Sequence, residues 1–175
     1  MATMILLPNA DGAAHADWVN VGEGTHHDCL DDDNAATSYV KCSTDTRTMI
    51  IEYANPSVAG ADIASIDSVR FLSSGKSVHR TDPSIVAIRF EAPTAGFDEL
   101  ASYDAHRTNF ETINGIARTT SDGSSDWTYS DLENLEMKCT KSSTVEVYLS
   151  YLALEVTYTE AAADADNAIF FGTNF

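Results

Sequence analysis

The stretch 144-TVEVYLSYLALEVTY-158 decides the fold. Val145, Val147 and Leu149 alternate, and so do Leu152, Leu154, Val156 and Tyr158, but the second set has the opposite parity. Successive side chains of a strand point to opposite faces, so one face stays apolar along this run only if the phase slips once. A β-bulge near Ser150 and Tyr151 supplies the slip by adding one residue, and it bends the strand. A long strand bent in its middle suits a sandwich in which it crosses an edge.

Working back from this strand, shorter apolar or alternating runs recur: TSYVKC (37–42), RTMIIEY (47–53), IDSVRFL (66–72), SIVAIRFE (84–91) and TNFETI (108–113). Between them lie segments rich in Gly, Pro, Ser and Asp, the residues that turns demand. One such segment, SSGKSVHRTDP (73–83), reads as a turn around Gly75, Lys76 and Ser77. Six or more strands without a long amphipathic helix predict an all-β, antiparallel β-sandwich of jelly-roll-like type. One short helix is expected in SDLENLEMK (130–138), with Ser130 as cap, Glu133 completing a capping box, and Leu132 and Leu135 one turn apart. Trp127 just before it is expected to pack into one end of the sandwich.

The chain has 175 residues, enough for one well-buried core, and a single domain is predicted over residues 17–158. Residues 1–16 read as an N-terminal arm carrying Ile5, Leu6 and Leu7, and residues 159–175 as a C-terminal arm ending in Ile169, Phe170, Phe171 and Phe175. Such apolar tails either fold back on their own domain or dock on a neighbouring subunit. Pro8 cuts the first apolar stretch short and no basic region precedes it, so the start does not read as a secretory leader.

Acidic residues number 27 against 10 basic ones, giving a formal charge of −17. A phosphate backbone would repel this chain, and no Lys/Arg stripe offsets the repulsion, so nucleic acid is not expected as a partner. No apolar run approaches the roughly 18 residues of a membrane span, so no membrane partner is expected. The excess of Asp over Glu, 17 to 10, fits a folded surface kept soluble in high salt. Cys29, Cys42 and Cys139 are odd in number and widely spaced, and read as reduced, buried thiols.

The acidic segment HHDCLDDDNAATSYV (26–40) raises the question of metal. Zinc wants four Cys or His ligands in paired units, whereas the adjacent His26, His27, Asp28 and Cys29 cannot all point at one ion. Calcium-loop spacing is missing too, which leaves Asp31 and Asp33 as a candidate for a weakly held cation in a solvated loop. Gly75-Lys76-Ser77 is no P-loop, because Arg70 stands where the first glycine must be. His15, His79 and His106 are scattered and read as surface or capping residues. No catalytic motif is found, and neither enzymatic activity nor a cofactor is expected.

WVNVGEG (18–24), DDDNAATSYV (31–40) and DWTYSDLENLEMK (126–138) ahead of the terminal VEVYLSYLALEVTY give a layout that resembles the small β-sandwich structural proteins of tailed bacteriophages and archaeal viruses. The resemblance spans residues 18–158 and brings no catalytic residue with it. It implies a virion protein assembled in the host cytoplasm, such as a capsid decoration (cement) protein. Its partners would be the major capsid protein or other virion proteins, and its own copies as a homotrimer. The alternative is a tail or fibre module with carbohydrate-binding activity, using Tyr103, Trp127 or Tyr129 as stacking platforms.

Overall fold

In the computed structural model, which describes residues 1–32, 37–44, 47–78, 88–92, 97–101, 109–133, 135–141 and 146–162, the alternating runs form two antiparallel sheets. The strands are β1 (Ala2–Leu6), β2 (Pro8–Asp11), β3 (Val19–Val21), β4 (Tyr39–Cys42), β5 (Arg47–Tyr53), β6 (Ile63–Val78), β7 (Ile88–Ala92), β8 (Phe97–Ala101), β9 (Glu111–Asn114), β10 (Glu136–Lys141) and β11 (Glu146–Glu160). A one-turn helix, α1 (Tyr129–Leu132), lies between β9 and β10. The first sheet runs β3-β4-β11-β6-β9, with β1 also paired to β11; the second runs β2-β5-β10-β7-β8. This is the antiparallel, jelly-roll-like sandwich that the sequence predicts.

β11 organises the first sheet because its length lets it serve three partners. β6 follows it along one edge, while β4 pairs with Val147–Leu149 and β1 with Leu154–Tyr158. The register slips where parity requires it: Leu149 faces Gly75 and Tyr151 faces Ser74, leaving Ser150 as the extra residue. Val147 and Leu149 before the bulge, and Leu152, Leu154, Val156 and Tyr158 after it, are all buried. Met49, Ile51, Tyr53, Met137 and Cys139 of the second sheet meet them in one core cluster that also contains Trp18, Leu30, Leu132 and Trp127. Each fully buried large apolar side chain contributes about 1.5–3 kcal/mol relative to exposure.

Three expectations are corrected. Ser73 to Ser77 form no turn; they continue β6, with Lys76 opposite Tyr148 and Ser77 opposite Val147. A partner strand as long as β11 supplies ladder bonds that outweigh the local turn preference of Ser and Gly. The helix is shorter and starts earlier than predicted. Thr128, not Ser130, is its cap, and Asp131, not Glu133, completes the capping box. Leu135 is buried and the chain then extends into β10, where Glu136–Lys141 pairs with β5.

The N-terminal segment is the third correction. Residues 2–11 are no free arm, because β1 belongs to the first sheet and β2 to the second. Met4 and Leu6 face the core opposite Val156 and Leu154, while Ile5 and Leu7 stay 43% and 38% exposed. The two-residue period seats one half of MILL inside and leaves the other half out. The folded unit therefore begins at the first strand and not at residue 17. Ile169, Phe170, Phe171 and Phe175 lie outside the described residues.

Candidate functional site

The outer face of the first sheet gathers aromatic side chains. Val147 and Leu149 point inward, so Tyr148 between them points out, and the same parity around Val40 turns Tyr39 outward. Their rings lie 5.6 Å apart at 56°, and Phe110, just ahead of β9, lies 6.1 Å from Tyr39. Lys76, opposite Tyr148 on β6, holds its ammonium 4.8 Å from both the Phe110 and the Tyr148 ring centres. A cation over two ring faces is attracted by both quadrupoles, which fixes the rings as one half-exposed platform. The Tyr148 hydroxyl donates to Glu146 Oε2 at 2.7 Å. Burial and the neighbouring Glu146 push the Tyr148 phenol up to about 12, so it remains a hydrogen-bond donor at neutral pH.

A second cluster closes one end of the sandwich. Asp11 ends β2 in the second sheet, and its carboxylate accepts from both backbone N–H groups and both Nδ1 atoms of His26 and His27, at 2.8–3.1 Å. His26 Nε2 donates to the carbonyl of Trp18, immediately before β3 in the first sheet, at 2.7 Å. His15 Nδ1 donates to the Gly12 carbonyl at 3.0 Å, and the His15 and His26 rings lie 4.9 Å apart. Four N–H donors converging on it hold the Asp11 carboxyl far below the ordinary carboxylate range, against the opposing and larger single effect of burial. Asp11, His15 and His26 each offer one donor atom within 4.8 Å of the others.

The structure distributes the sequence candidates unevenly. His26 and His27 come together, but around Asp11 and not around Cys29, which is buried with its thiol toward the Val21 carbonyl at 3.8 Å. Asp33 lies outside the described residues, as do Tyr103, His79 and His106. Asp31 is half-buried, and its carboxyl is raised by burial and then by the charges of Asp32 and Asp28. Trp127 is 5% exposed, with Nε1 donating to the Arg118 carbonyl at 2.9 Å, so it is a core residue and no stacking platform. The Tyr129 hydroxyl is likewise tied to the Val58 carbonyl at 3.1 Å. Cys42 and Cys139 are buried as predicted.

Sequence reasoning missed Asp11 and His15 as partners of His26. The three are separated by a strand end and a loop, and only the spacing D-x3-H in 11-DGAAH-15 hints that two of them share a turn. Tyr148 could be turned outward from parity alone, whereas its juxtaposition with Tyr39, Phe110 and Lys76 is a matter of strand order.

No protein-family model matches the chain, and no curated protein matches it. Among solved structures the chain is similar to a family 29 carbohydrate-binding module from Piromyces equi, at 8% sequence identity and a TM-score of 0.40, covering 89% of this chain and 91% of that one.

Proposed function

We propose that the protein is a non-enzymatic structural component of a virus particle, a decoration protein that binds the capsid surface and its own copies. The observation that carries the binding role is the Tyr39–Phe110–Tyr148 platform with Lys76, a prearranged aromatic surface on a pleated sheet. Aromatic side chains give large contact area for little ordering entropy, which is why they anchor protein interfaces. The particle assignment itself rests on the sequence layout that resembles virion sandwich proteins. The C-terminal arm, residues 159–175, keeps the proposed docking role beyond the end of β11 at Glu160, and a trimer is the proposed assembly.

Incorporation into particles tests the reading directly. Tyr148→Ala and a chain lacking residues 167–175 should each lower occupancy relative to wild type while keeping its Tm. Wild-type occupancy in both would overturn it.

The same platform favours a second reading, a tail or fibre module that binds glycans by stacking sugar rings on Tyr39 and Tyr148. A glycan array decides between the two. Reproducible binding that Tyr148→Ala abolishes establishes the second reading, and an empty array returns the platform to protein contacts.

A further inference from the structure

We infer that Asp11, His15 and His26 form a binding site for a divalent transition-metal ion, zinc by preference, that would clamp the two sheets together at one end of the sandwich. The donor set of two imidazoles and one carboxylate is the type that zinc takes when three protein ligands leave a fourth position for water. All three side chains are half-buried or buried, so the cluster is built into the fold.

The outer hydrogen bonds point to the same assignment. A ligating histidine almost always donates its second ring N–H to a carbonyl or carboxylate, which fixes the tautomer and aims the lone pair. His26 does this with Nε2 to the Trp18 carbonyl, so the Nδ1 proton that it now donates to the Asp11 carboxylate at 2.9 Å is the one an ion would displace. His15 does it with Nδ1 to the Gly12 carbonyl, which leaves Nε2 as its lone-pair atom. Asp11 Oδ1 is held by His27 through backbone N–H and Nδ1, and Oδ2 is the oxygen that faces His26. The candidate ligands and the hydrogen bonds that would orient them are therefore both present.

Holding an ion would draw the three donor atoms, which lie within 4.8 Å of one another, closer together. Two ligands on one zinc with bonds of about 2.0–2.2 Å and near-tetrahedral angles stand about 3.3–3.5 Å apart. Opening the His26–Asp11 contact from 2.9 Å by about half an ångström places a cation where the ring hydrogen now lies. His15 also lines an open cleft of about 510 Å³ with Ala13, Ala14, Ala16, Asp17, Arg47 and Thr48, so this ligand is reached from solvent.

The position in the fold gives the ion its role. Asp11 belongs to β2 of the second sheet, whereas His26 lies in the loop between β3 and β4 of the first. One ion bound to both would fasten that loop to the opposite sheet, and binding free energy would appear as folding stability.

Titration of the full chain, stripped with EDTA, against zinc chloride tests the assignment. We expect one ion per chain, a Tm that rises with zinc in excess, and reversal by EDTA. His15→Ala removes a half-buried ligand without opening the core, and should weaken zinc binding at least about tenfold. His79→Ala should bind as wild type does. Because Asp11→Asn and His26→Ala could unfold the end of the sandwich, side-chain nitrogen NMR of the wild-type chain gives the second readout. Zinc should move the ring resonances of His15 and His26 and leave those of His79 and His106 in place. No saturable zinc binding, unchanged affinity in His15→Ala, or zinc shifts confined to other histidines would each overturn the proposal.

Discussion

Gly22 shows what a single residue contributes to this fold. Its φ is +105°, in the region that L side chains avoid, and an added Cβ would run into the backbone carbonyl of Thr37. Neither problem can be relieved by a rotamer change, so Gly22→Ala should destabilise the domain by more than about 1 kcal/mol, read as a lower urea midpoint at unchanged m. Phe71 is the largest fully buried side chain among the described residues, and Phe71→Ala should cost about 3–5 kcal/mol by the same measurement. Cys139 gives a chemical readout of the core. Burial pushes its thiol far above the ordinary range, so the reactive thiolate is suppressed at neutral pH. Iodoacetamide should therefore label Cys139 only as fast as the domain opens, and mass spectrometry should find it unmodified in the folded protein at pH 8. Rapid labelling under native conditions would show that the second sheet breathes far more than its packing implies.

At the scale of elements, β11 joins sequence pattern to architecture most directly. Ser150 is an uncharged, fully buried residue whose function is to be extra, since it resets which side of the strand faces inward. Deleting Ser150 would keep every apolar residue but turn Leu152, Leu154, Val156 and Tyr158 toward solvent, or else turn Val147 and Leu149 out. The deletion should therefore abolish cooperative unfolding, a loss that circular dichroism during a urea titration would register; a two-state transition at the wild-type midpoint would count against the bulge. The one-turn helix is a smaller matter. Thr128 and Asp131 satisfy each other's orphan N–H groups, so Thr128→Ala should cost about 1 kcal/mol, with Thr128→Ser recovering most of it.

Charge acts on the molecule as a whole. With a formal charge of −17, the folded state is more strongly self-repelling than the expanded chain. The local effect is visible where Glu23, Asp28, Asp31 and Asp32 crowd one loop and raise the carboxyls of Glu23 and Asp31, after burial as the first cause. The Debye length falls from about 10 Å at 0.1 M to about 3 Å at 1 M, so Tm should climb with sodium chloride from about 0.1 to 2 M. An uncharged osmolyte at matched osmolality should give a smaller rise. Equal melting temperatures across that range would remove the case for a salt-adapted surface, and trimers seen by light scattering only at high salt would extend it to assembly.

The sequence by itself determined the sandwich, its bent final strand, the burial of its cysteines and the strongly acidic surface. These follow from side-chain period and composition, which are local and survive any change of neighbours: the parity switch between Leu149 and Leu152 implies a bulge whatever strand lies alongside. Tertiary structure decided the rest, because pairing partners are remote in sequence. Ser73–Ser77 became strand because β11 runs beside them, and MILL became half core because β11 had an open edge for it. Asp11, His15 and His26 met because β2 ends in one sheet while the β3–β4 loop returns from the other, and no periodicity in the chain records that meeting. Tyr148 was bound to face outward by parity; that it would find Tyr39, Phe110 and Lys76 there was settled only when strands from four parts of the chain lay side by side.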